Sequence, residues 1–137
     1  MDSTKSKYLK AFNNQFMEFV EDVMRIFPNN KNLTMTKNIF LAAKKANPKM
    51  LCRIWQKYVV VKYHKQILEG DQEFFIEKDY TADLVNYEYG SKVVDRINEM
   101  RDLIRNEDNN NKDMTMKYLI NLCTLSNLYW DNMPPPN

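Results

Sequence analysis

Glycine occurs twice in this chain of 137 residues, cysteine twice and histidine once. With only Gly70 and Gly90, and only Pro28 and Pro48 ahead of Pro134-Pro135-Pro136, the turn residues of a many-hairpin sheet are missing. A lone His64 excludes a multi-histidine metal site and leaves Ser-His-Asp or Cys-His catalysis without a credible supply. Cys52 and Cys123 lie far apart within apolar patterns, so they read as buried, unbonded thiols rather than a disulfide framework. No apolar run approaches the ~18 residues of a membrane span. The polar stretch from Met1 to Lys10 carries no signal-peptide core. A reducing intracellular compartment and no membrane partner are therefore expected.

What the chain does hold is enough apolar material for a core. Its content is 44% hydrophobic and 12% aromatic, and a chain of this size buries about two thirds of its unfolded surface. One domain is expected over 1–132, followed by a short Pro-rich tail at 133–137.

The apolar spacing is helical. Leu9, Phe12, Phe16, Phe19, Val23 and Ile26 recur at intervals of three and four, predicting a long amphipathic first helix. It should open near Ser3 or Thr4 and stop at Phe27-Pro28-Asn29-Asn30. A second helix is predicted from Thr34 or Thr36 to Ala46, with Ile39, Phe40 and Ala43 inward and with Asn32 or Thr34 as its cap. Pro48 suits the first turn of a third helix carrying Leu51, Ile54, Trp55, Tyr58 and Val59 and running to Leu68, ahead of Gly70. Val59-Val60-Val61 is a β-branched interruption inside it. Short helices are expected around Phe74 to Ile76 and around Leu84 and Val85, and a longer one over Val93 to Ile104. Asn106 to Lys112 reads as a polar loop, after which Asp113 or Thr115 caps a last helix. Leu119, Ile120, Cys123, Leu125 and Leu128 point inward in that helix, and Trp130 stands near its end. The predicted fold is a single all-α bundle of five to seven helices.

Charge is distributed unevenly behind a net +2. Between Asp22 and Glu69 there is no acidic residue but ten basic ones, whereas Glu69 to Asp113 carries a net −7. At about 100° per residue, Lys49, Arg53, Lys57 and His64 share one narrow arc of the third helix, opposite Leu51, Ile54, Trp55 and Tyr58. A basic stripe backed by an apolar face suits a helix lying against phosphates. Lys44, Lys45, Lys49, Arg53 and Lys57 are thus the candidate nucleic-acid-binding residues. The competing explanations are an ordinary solvated face and neutralisation by the acidic segment. Lysine outnumbers arginine fifteen to five, which favours backbone contact over base reading by arginine forks.

Other constellations carry less. Glu69, Asp71, Glu73, Glu77 and Asp79 crowd five carboxylates together, but they miss the glycine and closing glutamate of an EF-hand and suit helix capping. His64 among lysines has its protonation disfavoured and reads as an ordinary histidine. Tyr80, Tyr87 and Tyr89, with Trp55 and Trp130, stand beside core positions. Nine methionines fill core gaps or line an adaptable groove. No cofactor and no enzymatic activity are expected.

Phe27-Pro28, Asn47-Pro48, Ile54 with Tyr58, Ile67, Gly70-Asp71, Phe74-Phe75 and Asp79-Tyr80 carry a resemblance over Phe16 to Tyr80. This half of the chain resembles small α-helical proteins encoded by giant and other nucleocytoplasmic large DNA viruses of eukaryotes. The resemblance implies a protein made inside an infected host cell, in the cytoplasm or viral factory, with the virus particle as one destination. It implies no catalytic activity. Seventeen asparagines and the lysine excess are compatible with an AT-rich coding genome. The leading expectation is a non-enzymatic interaction protein working through protein contacts, self-association included. The alternative is a nonspecific nucleic-acid binder.

Overall fold

The computed structural model describes residues 3–61, 65–66, 69, 96, 99–100, 102–103 and 109–131. Among these there are four helices and no strand, so the chain is all-α. The short helices expected between Asp71 and Tyr89, most of the helix expected over Val93 to Ile104 and the Pro-rich tail fall outside the described residues. Met100 and Leu103 are described, and both pack on the core.

Helix α1 spans Ser3–Ile26, as the apolar period predicts. It presents Phe12, Phe16, Phe19, Val20 and Val23 to the interior, each no more than 7% exposed. Phe16 is the centre of an aromatic cluster. Its ring meets Phe40 edge-on at 4.9 Å and Trp55 edge-on at 6.3 Å, and Phe12 reaches Trp55 at 6.4 Å. Edge-to-face packing at these distances matches the negative face of one ring to the positive rim of the next. Three helices are thereby tied through one side chain.

Helix α2 spans Lys31–Ala46. It begins three residues before the expected Thr34. The cap is Asn30, whose side chain accepts the Asn32 N–H at 3.0 Å. Thr36 lies inside the helix, fully buried, and donates its hydroxyl to the Asn32 carbonyl at 3.0 Å. A threonine satisfied four residues back needs no cap role. Leu33, Phe40 and Ala43 face the core, with Ile39 half-buried.

Helix α3 spans Met50–Trp55 and continues directly into a π-helical turn at Gln56–Val60. The β-branched run therefore does not break the helix but widens it. Leu51, Cys52, Ile54, Trp55, Gln56 and Val60 are buried, while Val61 is 53% exposed.

Helix α4 spans Asn109–Trp130 and runs antiparallel along α1. Lys5 pairs with Asp131, Gln15 accepts from Asn121 at 3.1 Å, and Asp22 accepts from Tyr118. The expected loop over Asn106 to Lys112 is thus helical from Asn109 onward. Thr115 does not cap it but donates to the Asn111 carbonyl at 2.9 Å, from a buried position. The inward face also differs from expectation. Leu122, Cys123 and Ser126 are the fully buried residues, and Leu128 is 43% exposed. Asp131 ends the helix with a left-handed φ of 56°, a conformation aspartate accepts more readily than most residues.

Candidate nucleic-acid interface at the turn between α2 and α3

The basic candidates are brought together by a short turn with a full set of local hydrogen bonds. Asn47 stops α2 because the next residue, Pro48, pushes it into the extended region, at φ −151° and ψ 103°. Its N–H still reaches the Ala43 carbonyl at 2.9 Å. Its side chain then accepts the Lys49 N–H at 3.1 Å, and its carbonyl accepts the Met50 N–H at 3.0 Å. From beneath, Asn13 on α1 donates to the Pro48 carbonyl at 3.0 Å. The buried Asn13 Oδ1 has no hydrogen-bond partner, so this anchor carries a desolvation cost of about 1–3 kcal/mol.

Lys44 and Lys45 occupy the last turn of α2, Lys49 is the residue before α3, and Arg53 lies one turn further on. Lys45 and Lys49 are exposed, while Lys44, Arg53 and Lys57 are half-buried. Among the described residues, no carboxylate pairs with Lys44, Lys45, Lys49 or Arg53. Neighbouring cations behave differently: Lys37 pairs with Glu21 at 3.3 Å, and Arg25 pairs with Asp22. The lysines at the α2 terminus also complement that helix's dipole, a contribution of roughly 0.3–1 kcal/mol each.

No family model, curated protein or solved structure matches this chain.

A second polar constellation, not foreseen from the residues, lies between α3 and α4. The Cys52 thiol donates to Ser126 Oγ at 3.6 Å, and the Ser126 hydroxyl donates to Gln56 Oε1 at 2.7 Å. Gln56 Nε2 then donates to Asn127 Oδ1 at 3.1 Å. The Trp55 indole N–H points at the Cys123 sulfur at 3.3 Å, and the Trp130 N–H reaches the Cys52 carbonyl at 3.4 Å. Gln56 is 1% exposed and Ser126 fully buried. Their helical offsets from the cysteines, four from Cys52 and three from Cys123, were the available signal. Both cysteines are free, as expected. Burial pushes the Cys52 thiol up to about 11, against the opposing bonds to Ser126 and Trp130, and the Cys123 thiol up to about 12. Both stay protonated at neutral pH, so neither presents a thiolate nucleophile.

Along the other side, α1 and α4 enclose an open polar groove of about 470 Å³ that includes Gln15, Lys117 and Asn121. Burial, followed by nearby Glu18, raises the Tyr118 phenol, with Arg25 opposing. The phenol donates to Asp22, which also pairs with Arg25, so this acid is satisfied within the protein. Among the described residues, no group of His, Cys, Asp and Glu could hold a metal ion, and no helix is long and apolar enough to cross a membrane. Apart from Glu69, the carboxylate cluster of Glu69 to Asp79 lies outside the described residues, as do His64, Tyr80, Tyr87 and Tyr89.

Proposed function

We propose that the chain is a non-enzymatic helical interaction protein, made in an infected cell, whose α2–α3 turn holds the phosphate backbone of nucleic acid without sequence preference. One observation carries this reading. Lys44, Lys45, Lys49 and Arg53 converge on a single anchored turn, and no described carboxylate neutralises them. Lys57 extends the row along α3. Lys44, Lys45, Lys49 and Arg53, close together and without a described carboxylate partner, raise the local potential and attract a polyanion, with counterion release supplying the affinity. In this reading the binding domain spans 1–132 in five to seven helices, and 133–137 is a tail.

A titration against duplex DNA tests it. Four or five phosphate contacts give a log–log salt slope of about −4, so affinity falls roughly 250-fold between 50 and 200 mM salt. Replacing Lys49, Arg53 and Lys57 together with Glu should abolish binding and leave the melting temperature nearly unchanged. Absence of binding at about 50 mM salt overturns the proposal.

The second reading is a protein partner, a further copy of the chain included. It is favoured by Leu41, 41% exposed on α2 and one turn ahead of Lys44 and Lys45. An apolar side chain beside two cations suits an acidic partner surface. Sedimentation at low and high salt separates this reading from the first, because self-association requires no nucleic acid.

A further inference from the structure

The π turn changes which residues join the basic row. It is closed by the Val61 N–H bonding to the Gln56 carbonyl, five residues back. A turn of this kind holds one more residue than an α-turn, so a helical residue beyond it lags by about 100°. The valines report the effect directly. In an unbroken α-helix, Val60 would lie roughly 20° from Lys49 around the axis, on the basic side. Instead Val60 is 3% exposed, five residues after the buried Trp55, and Val61 is 53% exposed. The turn is held from α4 by Ser126 and Asn127, which bind the Gln56 side chain.

Lys49, Arg53, Lys57, Val61 and Lys65 are spaced by four. In a straight α-helix such a series drifts about 40° per step, carrying Lys65 some 160° away from Lys49. Subtracting the extra residue returns Lys65 to within about 60° of Lys49, inside the arc of Arg53 and Lys57. Lys65 is itself helical and exposed, and its carbonyl accepts the Glu69 N–H at 3.0 Å. No described carboxylate pairs with it.

We infer that Lys65 is a further phosphate-contacting residue, aligned with Lys49, Arg53 and Lys57 by the π turn at Gln56–Val60. This rests on the reading of the basic turn as a nucleic-acid interface. The experiment is a duplex-DNA titration over a salt series, using the full chain and single variants. Lys65→Ala should lower the magnitude of the salt slope by about 0.9, the value of one lost phosphate contact. Lys10→Ala, an exposed lysine on α1, should leave the slope unchanged. An unchanged slope for Lys65→Ala, or an equal fall for Lys10→Ala, overturns the inference while leaving the basic turn standing. No binding by the unmodified chain overturns both. The slope is read on folded protein at each salt concentration, so a variant that merely lowers the folded fraction does not alter it.

Discussion

The Ser126 hydroxyl lies 2.7 Å from Gln56 Oε1, and this bond between two buried residues joins α4 to the π turn of α3. A buried glutamine carries four hydrogen-bonding sites and is costly unless they are used. Here one side chain of α4 supplies the donor and the next supplies an acceptor. The wide turn persists because its side chain is held, not because its own sequence favours it.

Ser126→Ala removes the buried hydroxyl that donates to Gln56 Oε1. A loss of about 0.5–1.5 kcal/mol is expected in urea unfolding. The double variant Ser126→Ala with Gln56→Leu should lose less than the sum of the two single changes, because it removes both halves of the bond. Strict additivity would show that the bond is not formed.

Phe16→Ala should be among the most damaging core changes. It deletes the ring shared by Phe40 and Trp55, at a cost of about 3–5 kcal/mol. Calorimetry or denaturant unfolding measures it. A cost under about 1 kcal/mol would contradict the cluster.

Asn30→Ala removes the α2 cap and should cost about 1 kcal/mol. Thr34→Ala, at an exposed position inside the helix, should cost a few tenths at most. The opposite ranking would return the helix start to Thr34.

Stability should fall at alkaline pH. The two thiols titrate near 9.0 when unfolded but at about 11 and about 12 in the folded protein. Above pH 9 the unfolded chain releases thiol protons that the folded chain retains, so each thiol draws the equilibrium toward unfolding by about 1.4 kcal/mol per pH unit. The stabilising preference is fully present below pH 9 and is lost between 9 and about 11 for Cys52 and between 9 and about 12 for Cys123. Replacing both cysteines with alanine should flatten this limb of a stability-versus-pH curve. An unaltered limb would assign it to other groups.

Helix identity in this protein is written in local order. Phe12, Phe16, Phe19 and Val23 repeat at the α-helical period, which predicts α1, and the stop at Phe27-Pro28-Asn29-Asn30 sets its end. Asn47-Pro48 likewise marks the turn that gathers the candidate cations, because proline acts on its immediate neighbour. Helix starts are less legible. Threonine serves equally as a cap or as a residue bonded four positions back, and Thr36 and Thr115 both do the latter. Leu128 and Ser126 show the same limit for burial: the apolar residue faces outward and the polar one inward. Ser126 is favoured there because it meets Gln56 across the interface, a match that no pattern within one helix can contain. The register of the basic row beyond Gln56 belongs to this second class. A wide turn costs energy locally and is offset by partners 70 and 71 positions away in the chain. The kinds of side chain on the row are a property of local order; which of them stand side by side depends on α4 being in place.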